Sequence, residues 1–453
     1  MKHEFYNYDI YPKAFLGDQE KTITIQPLGA HAAFKPNMTY KIEVLKLREA
    51  NKSVYPERNT LPFYYAKPDA DGCLRVTPYF TGEGEWYIRL HEENSDRCFL
   101  SMSVYSLFAD MAGRIPQRGD LHLHTRRSDG SQSPAITAAN YRGHGYDFTV
   151  ISDHNRYYPS LECIREFGDV SDLAIIPGEE VHLPLNDLHY INFGGTYSIN
   201  ALVEGGPNDE KAGSDLEWRS LNGEAPATMS RADFEAMIRE RAKSVPREHE
   251  AERLSYAVLE WTYEHMKANG GLGVFVHPHW LCCCMQVPED YACFVYENQP
   301  FDAFEVLGGE NYFAQNGFQT GLYYEMRAKG IDVPVVGATD SHSSHAEYNR
   351  NALICSTIVF TKSNTREGLI EAIKDKYSVA VDTISTEYRL VGDFRWLHYA
   401  SFLMENYYPI HDLVCQTEGH YLKRHLNGDQ RATEILKLMK GQLPEMQKKY
   451  FDL

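Results

Sequence analysis

The sequence is poor in several features that would place a chain in a special class. Nine cysteines among 453 residues, an odd number at scattered spacings, favour free thiols over a disulfide framework. No apolar run approaches the roughly 20 residues that span a bilayer. The N-terminal residues MKHEFYNYDIYPKAF contain neither the apolar core of a secretory signal nor an Arg-rich amphipathic pattern. Together these absences predict a cytoplasmic protein with no membrane-spanning segment.

Basic residues are outnumbered by acidic ones, 45 against 63, which gives a formal net charge of −18. Extended binding to nucleic acid requires a basic surface that neutralises phosphates, so this composition argues against such a partner. It does not exclude a small phosphorylated substrate bound in a metal-lined pocket. We therefore expect a small-molecule substrate rather than a nucleic acid or a membrane.

Three of the cysteines form an uninterrupted run, Cys282-Cys283-Cys284. Adjacent residues cannot converge on one ion as a Cys-x-x-Cys pair can. We therefore expect buried thiols in this run rather than a metal site.

The character of the sequence changes near residue 116. Before it, short alternating runs such as TITIQPL and EWYIRLHEE are separated by turn signals, which predicts a small all-β, sandwich-like accessory domain over 1–115. From 116 to about 385, strand-like and helical runs alternate, the pattern of an α/β domain with an open or closed parallel sheet. A polar stretch at about 205–250 is typical of an insertion. Residues 386–453 predict a helical C-terminal extension.

The segment GDLHLHTRRSDG, residues 119–130, is the most informative part of the chain. His122 and His124 are two residues apart, and in a strand such residues point to the same face. Two imidazoles at the end of a strand can bind one metal ion, while Asp129, across the turn, can reach a second. Taken alone, this pattern is more often a pair of ordinary packed histidines.

Further residues of metal-ligand type follow the other predicted strands of this domain. They are His154, Glu180 or its neighbour Glu179, His189, His277, Asp340 and His342. In parallel β/α architectures the carboxyl ends of the strands meet and carry the functional residues. The repeated coincidence predicts a metal centre.

Imidazole and carboxylate ligands without a cysteine set suit Zn, Mn or Fe. Nine such side chains are too many for one tetrahedral ion, and carboxylates can bridge ions about 3.5–4 Å apart, so we expect two or three divalent ions. Such a cluster lowers the pKa of bound water and stabilises developing negative charge on oxygen. The expected nucleophile is metal-bound hydroxide, with no side-chain nucleophile.

The motifs DLHLHTRRSDG, SDHN, PGEE, HP and ATDSH, in this order over residues 119–342, resemble the polymerase-and-histidinol-phosphatase (PHP) domain of amidohydrolase-like metallohydrolases. The resemblance implies a distorted (β/α)7 barrel, a trinuclear metal site and, as in many members, activity on phosphoesters. The expected fold class is therefore α/β, a PHP-type barrel preceded by a small all-β domain.

The resemblance also implies which residues share each ion. The first ion would be held by His122, His124, Asp340 and a bridging Glu180, the second by His189, His277 and the same Glu180, and the third by Asp129, His154 and His342. Glu180 is preferred over Glu179 because of the family's Gly-x-Glu spacing. Members of the family have either His or Asp at the position of Asp129.

Three functional hypotheses follow. A phosphoesterase is the leading one. The layout, with a β-rich segment before the barrel and a long insertion within it, resembles a branch named for a carbaryl (carbamate ester) hydrolase, so a carboxyl or carbamate ester or amide hydrolase is the alternative. A non-catalytic, metal-stabilised binding module is the third, but all nine ligand positions are filled. No polymerase segments surround the barrel, which disfavours a proofreading module.

Residues beside the ligand motifs are candidates for substrate binding. They are Arg126, Arg127, Arg156, His279 and His345. An arginine can bind a phosphate through two parallel hydrogen bonds, although exposed loop arginines serve solubility equally often. Asp153 is a candidate for orienting a ligand imidazole, a common role for a carboxylate beside a metal site.

Overall fold

The structure, a computed structural model, describes residues 2–49, 54, 62–205, 216–281, 283–308, 313–344, 355–383 and 389–453. The chain forms two compact units. Unit 1 consists of Met1–Ile115, Phe394–Val414 and Gly441–Leu453, and unit 2 of Pro116–Asp393 and Cys415–Lys440. The C-terminal segment therefore contributes to both units.

The strands are β1 (Tyr8–Tyr11), β2 (Ala14–Leu16), β3 (Gln19–Glu20), β4 (Ile23–Pro27), β5 (Tyr40–Lys46), β6 (Tyr64–Ala66), β7 (Leu74–Val76), β8 (Tyr79–Phe80), β9 (Gly84–Glu92), β10 (Cys98–Leu107), β11 (Ile115–Asp120), β12 (Phe148–Val150), β13 (Ala174–Ile176), β14 (Gly178–Val181), β15 (Tyr190–Phe193), β16 (Leu272–Phe275), β17 (Ala303–Leu307), β18 (Val335–Gly337), β19 (Cys355–Thr361), β20 (Ser378–Asp382), β21 (Arg389–Val391) and β22 (Phe451–Asp452). The helices are α1 (Pro134–Gly143), α2 (Tyr158–Phe167), α3 (Leu216–Arg219), α4 (Arg231–Ala242), α5 (Glu250–Ala268), α6 (Glu289–Asn298), α7 (Phe313–Ala328), α8 (Arg366–Lys374), α9 (Phe394–Asn406), α10 (Tyr408–Leu426), α11 (Gln430–Met439) and α12 (Gln442–Tyr450).

Unit 1 contains a six-stranded sheet of order β22-β2-β10-β9-β5-β6, a three-stranded sheet β1-β4-β7 and the pair β3-β8. β9 shows why these sequences form strands. Its residues Trp86, Ile88 and Leu90 are buried in the core of the unit, and the residues between them are more exposed. This is the period of two expected when one face of a sheet is buried. Within the described part of 1–115, the regular structure consists of strands and short 3-10 helices.

Unit 2 is mixed α/β, as the alternation of strand-like and helical runs predicts. Its two sheets have the orders β13-β12-β11-β19-β20-β21 and β14-β15-β16-β17-β18. The pairs β11/β12, β12/β13, β16/β17 and β17/β18 are parallel. The strands at the centre are buried along their whole length, which is typical of parallel sheets covered on both faces.

The two sheets of unit 2 are connected near the predicted ligands. β13 and β14 are separated only by Pro177, which has no N–H to continue a strand ladder. A Cβ on Gly178 would lie 2.4 Å from Cγ2 of Val150, so glycine is required at this crossover. Two isolated parallel bridges, His154 with Glu180 and Leu123 with Ser341, link the ends of the sheets.

Two strands of unit 2 depart from the expected parallel arrangement, and one of them, β20, is antiparallel to both of its neighbours, β19 and β21. β15 is antiparallel to both of its neighbours, β14 and β16. The connection from β14 to β15 spans only residues 182–189. A parallel crossover needs about a dozen residues or more, so this short connection can join only antiparallel strands. The prediction of a parallel sheet is therefore wrong at β15, and it is wrong at β20 as well.

The polar stretch predicted as an insertion, about 205–250, contains α4. Phe234 and Ile238 of α4 are buried, and the Phe234 ring packs edge-on against Trp261 of α5 at 5.1 Å. An apolar stripe thus attaches this polar helix to the core of unit 2. Residues 206–215 lie outside the described part of the chain.

The C-terminal segment from Phe394 onward contains the helices α9 to α12 and the short strand β22. Among the helices that the structure describes, none combines the length and the apolarity that a membrane crossing requires.

Candidate metal centre

The first two predicted ligands follow a strand end of unit 2. β11 ends at Asp120, and His122 and His124 come directly after it. Between them Leu123 forms its parallel bridge with Ser341, which keeps this stretch extended. His122 Nε2 and His124 Nε2 lie only 3.1 Å apart. The two imidazoles therefore converge, in agreement with the i, i+2 spacing.

Six of the nine predicted ligands form a buried set, which we call the inner group. Its members are His122, His124, Glu180, His189, His277 and Asp340. The carboxylate of Glu180 lies at the centre. Its Oε1 is 2.8 Å from His189 Nδ1 and 3.4 Å from His277 Nε2, and its Oε2 is 3.6 Å and 3.5 Å from the Nε2 atoms of His122 and His124.

Asp340 forms the second acidic side of the inner group. Its Oδ1 lies 2.9 Å from His124 Nε2 and 3.2 Å from His122 Nε2, and its Oδ2 lies 4.0 Å from His277 Nε2. Both Asp340 and His277 adopt the left-handed backbone region, with φ of 46° and 27°. Strained backbone of this kind persists where the surrounding structure holds it, and it concentrates at functional sites.

The other three predicted ligands form a more exposed set, the outer group: Asp129, His154 and His342. Asp129 Oδ2 is 3.5 Å from His154 Nε2 and 3.3 Å from His342 Nε2. The side chains of the outer group are 24–54% exposed, whereas those of the inner group are 0–12% exposed. An ion held by the outer group would therefore be the more accessible to solvent.

The donor atoms have the spacing of ligands around shared ions. Ligands at about 2.0–2.1 Å from a tetrahedral ion lie about 3.3 Å from one another, and most of the distances above fall near this value. Both carboxylate oxygens of Glu180 are buried, yet neither accepts a hydrogen bond from any residue that the structure describes. Carboxylate oxygens that lie among several imidazole nitrogens without accepting a hydrogen bond fit a set of metal ligands.

The electrostatics divide the candidate ligands by charge state. Burial opposes the charge on His122, His277 and His342, but nearby carboxylates raise the pKa of each. Burial lowers the pKa of His124 to about 3 and that of His189 to about 4, so both are neutral at pH 7. Burial alone would raise the pKa of Glu180, but the surrounding histidines hold it well below its usual range. Burial opposes the charge on His154, but Glu180 and Asp129 raise its pKa to about 10. A cation that binds His154 must therefore displace a proton.

Buried carboxylates fix the backbone and the rings of the ligands. Asp120 accepts hydrogen bonds from the backbone N–H of His122 and from both the N–H and the hydroxyl of Thr339. Glu305 Oε2 lies 3.0 Å from His122 Nδ1. A carboxylate on the second nitrogen of a ligand imidazole sets its tautomer and orientation.

Asp153 has a different role from the one predicted. It accepts hydrogen bonds from the N–H and hydroxyl groups of Thr125 and Ser128, and so it fixes the loop that carries Asp129. The prediction that Asp153 orients a ligand imidazole is wrong, because its oxygens are occupied by this loop.

Glu179 and Glu180 point to opposite faces of β14, as neighbouring strand residues do. Glu179 accepts hydrogen bonds from Ser198 Oγ, Ile199 N–H, Asn200 Nδ2 and Asn192 Nδ2, at 2.5–3.1 Å. These hydrogen bonds hold the Glu179 carboxylate in a network apart from the inner group. The inner group contains Glu180, the residue preferred on spacing.

Two residues near the ligands were not predicted. His182 Nε2 lies 2.9 Å from His154 Nδ1 and 3.5 Å from Glu180 Oε2. The sequence did contain a pattern that could have indicated His182, since Glu180 and His182 have the same i, i+2 spacing as His122 and His124. Glu305 could have been suspected as the one acidic residue within the apolar run FEVL.

The predicted substrate residues differ in their exposure and in the contacts that the structure shows for them. Arg127 forms a two-pronged ion pair with Glu162, Arg126 is exposed, and Arg156 is half-buried. His279 is buried, and its ring packs 5.9 Å from that of Phe318. His345 lies outside the described residues. Their role in binding substrate stays a prediction.

The cysteine run differs from expectation. Cys283 and Cys284 are exposed, and Cys282 lies outside the described residues. They belong to a short loop closed by a bridge between Leu281 and Met285, and such loops run over protein surfaces whatever their residue types. The prediction of buried thiols is wrong for these two residues.

Comparison with known proteins gives partial matches to solved structures. No family model and no curated protein matches the sequence. A two-domain protein from Bacteroides vulgatus ATCC 8482, described as containing a predicted PHP-like metal-dependent phosphoesterase, matches with 15% identity over 65% of this chain and 71% of its own, with a TM-score of 0.41.

Two further structures match about half of the chain. A candidate metal-dependent phosphoesterase from Bifidobacterium adolescentis ATCC 15703 has 16% identity over 49% of this chain and 87% of its own, with a TM-score of 0.30. An amidohydrolase from Chromobacterium violaceum, with bound sulfate and no metal, has 14% identity over 50% and 87%, also with a TM-score of 0.30.

Proposed function

We propose that this chain is a metal-dependent hydrolase whose inner and outer groups hold two or three divalent ions of Zn, Mn or Fe, and that its substrates are phosphoesters. One observation carries the proposal. The buried carboxylate of Glu180 has six imidazoles within 3.6 Å, yet neither of its oxygens is hydrogen-bonded to a described residue. Nothing in ordinary packing explains so many polar groups around one buried acid.

We also infer that the strands carrying these residues form a distorted barrel of the PHP type. Its order would be β11, β12, β14, β15, β16, β17 and β18. The bridge between His154 and Glu180 and that between Leu123 and Ser341 support closure at its two seams. In such a barrel the functional residues gather at one end.

The chain's own residues would hold and orient the reacting groups. Divalent ions bound here would lower the pKa of water and stabilise negative charge on oxygen. Glu180 and Asp340 would supply the negative charge that retains the ions, and Glu305 would fix the tautomer of His122. Arg126, which is exposed beside the outer group's loop, is the arginine best able to meet a phosphate.

Two substrate classes remain to be separated by assay. The five PHP-like motifs support a phosphoester. The layout of the chain, with its β-rich segment before the barrel, supports a carboxyl or carbamate ester as the alternative. The test uses the protein as purified, with metal content measured by elemental analysis. Hydrolysis of p-nitrophenyl phosphate, a thymidine phosphodiester analogue, p-nitrophenyl acetate and an aryl carbamate is compared with and without chelator.

His122→Ala is the decisive variant for the site. Removal of one ligand from the inner group should abolish turnover and reduce the metal content, because His122 contacts His124, Glu180 and Asp340 together. His420→Ala, an exposed position on α10, is the matched control and should change neither. Stoichiometric metal without turnover of any phosphoester would refute the phosphoesterase assignment, and full activity of His122→Ala would refute the site.

A further inference from the structure

His182 sits between the inner and the outer group without belonging to either. It follows β14, and its ring centroid lies 3.9 Å from that of His189 and 4.7 Å from that of His154. Its side chain is 26% exposed, comparable with the outer group and unlike the buried inner ligands. The residue therefore lies beside candidate ligands of both groups, and its hydrogen bonds decide which group it serves.

The ring of His154 faces two neighbourhoods at once. Its Nε2 points to Asp129 in the outer group, at 3.5 Å, while its Nδ1 is 2.5 Å from Glu180 Oε2 and 2.9 Å from His182 Nε2. A neutral imidazole has one N–H and one lone pair. If the lone pair at Nε2 is to serve an ion of the outer group, the proton must reside on Nδ1 and needs an acceptor.

His182 is the acceptor with hydrogen-bond geometry. The contact from His154 Nδ1 to His182 Nε2 meets that geometry, whereas Glu180 Oε2 accepts no hydrogen bond from the described residues despite its closeness. Glu180 is thus left to the inner group, where it is central. The backbone also holds His182 in place, because its N–H donates to Asn200 Oδ1 at 3.0 Å.

We propose that His182 is a positioning residue for the outer ion: it accepts the Nδ1 proton of His154 and so directs the His154 Nε2 lone pair to the ion shared with Asp129 and His342. The proposal rests on the function proposed above. A partner on the second nitrogen of a ligand imidazole typically accounts for 10–100-fold in metal affinity. The effect should be confined to the outer ion, since no inner ligand depends on this hydrogen bond.

The test is titration of the metal-free full-length protein with Mn²⁺, followed by calorimetry. Three proteins are compared with the wild type. His182→Leu keeps a side chain of moderate size but has no acceptor. His182→Gln places an amide oxygen near the position of Nε2 and restores an acceptor. His420→Leu, at an exposed position on α10, controls for the loss of a histidine.

We expect the wild type to bind Mn²⁺ tightly at the inner group and more weakly at the outer group, as two classes of site. His182→Leu should weaken the outer class by about 10–100-fold and leave the inner class unchanged, while His182→Gln should stay within about threefold of the wild type. Unchanged outer binding in His182→Leu, loss of inner binding in either variant, or failure of His182→Gln to restore the outer class overturns the proposal. Absence of any Mn²⁺ binding by the wild type overturns the proposed function together with it.

Discussion

Glu179 and Glu180 are adjacent buried acids that offer a controlled test of the site. Glu180→Gln should lower metal content and activity by at least about 100-fold, more than a residue that only supports a ligand. The metal-free variant should also be less stable than the metal-free wild type, because the surrounding histidines hold the pKa of Glu180 well below its usual range and would lose that charged partner. Elemental analysis and urea unfolding of chelator-treated protein measure the two quantities.

Glu179→Gln should reduce stability alone. The new amide group would face donors such as Asn200 Nδ2 and Ile199 N–H, so the free energy of unfolding should fall by about 1–3 kcal/mol. Metal content per folded molecule should not change. Equal metal loss in Glu180→Gln and Glu179→Gln would contradict the assignment of Glu180 as a metal ligand.

The buried Lys13 of unit 1 leads to a prediction about how the stability of the protein depends on pH. The residue is fully buried, with its Nζ 3.7 Å from Asp9 Oδ1 and 4.6 Å from the centre of the Tyr450 ring. Burial lowers the pKa of Lys13 to about 8, against the opposing effect of Asp9. Between about pH 8 and pH 10.5 the unfolded chain therefore holds a proton that the folded chain has lost. Stability gains up to about 3 kcal/mol from this group as pH rises through that window.

Lys13→Met should remove this gain. From pH 8 to pH 10.5 the difference in unfolding free energy between wild type and variant should shift in favour of the wild type by about 3 kcal/mol. Urea unfolding at several pH values measures it, and Lys448→Met, at an exposed position of α12, is the control. A constant difference across this range would mean that buried Lys13 keeps its proton.

Individual residues also mark where sequence reasoning reached its limit. The nine candidate ligands could be predicted from the sequence because each follows a recognisable strand or lies in a short motif. His182 and Glu305 were missed because a contact such as His122 with Glu305 joins residues far apart in sequence. The exposure of Cys283 was mispredicted because residue type alone does not say whether a loop is covered.

At the scale of elements, the loop from Thr125 to Gly130 positions the outer group. A Cβ on Gly130 would lie 2.6 Å from the carbonyl oxygen of His124, a backbone atom that cannot rotate away. Gly130→Ala should therefore displace Asp129 and weaken the outer class of Mn²⁺ binding by about 10–100-fold, with the inner class retained. Titration of the metal-free variant measures both classes.

Gly317→Ala provides the control for Gly130→Ala. Gly317 is exposed on α7, and the position that an alanine methyl group would occupy there has no neighbouring atom within 4 Å beyond its own helix backbone. Alanine there should stabilise the helix by about 0.5–1 kcal/mol and leave Mn²⁺ binding unchanged. Normal outer binding in Gly130→Ala would show that the loop tolerates the extra atom without moving Asp129.

The elements themselves were predictable to different degrees. Local sequence patterns predict the strand-and-helix alternation of unit 2 and the placement of polar residues after strands. They do not predict the direction of β15, because that direction depends on a connection too short for a crossover rather than on the residues of the strand. The crossover at Pro177 and Gly178 likewise depends on Val150, which approaches from another strand.

At the scale of the whole molecule, the net charge of −18 gives the proposed ions a further role. Within unit 2, Glu180 and Asp340 approach the same nitrogen atoms of His122 and His124, Asp129 and Glu180 approach the same ring of His154, and Glu305 lies against His122. Carboxylates gathered around the same groups repel one another unless cations or protons lie between them. Bound divalent ions would remove that repulsion, so they should stabilise the fold as well as supply the chemistry.

Chelation should therefore destabilise the protein. An ion present at about 100 times its dissociation constant contributes about 2.7 kcal/mol, which corresponds to a melting temperature lower by roughly 5 °C for each ion removed. The measurement is thermal unfolding of the wild type before and after chelator, with readdition of Mn²⁺ to restore the higher value. His122→Ala should respond much less, because its inner group has already lost a ligand. Equal melting temperatures for metal-loaded and metal-free wild type, with metal loss verified by elemental analysis, would show that the carboxylates do not depend on cations for their stability.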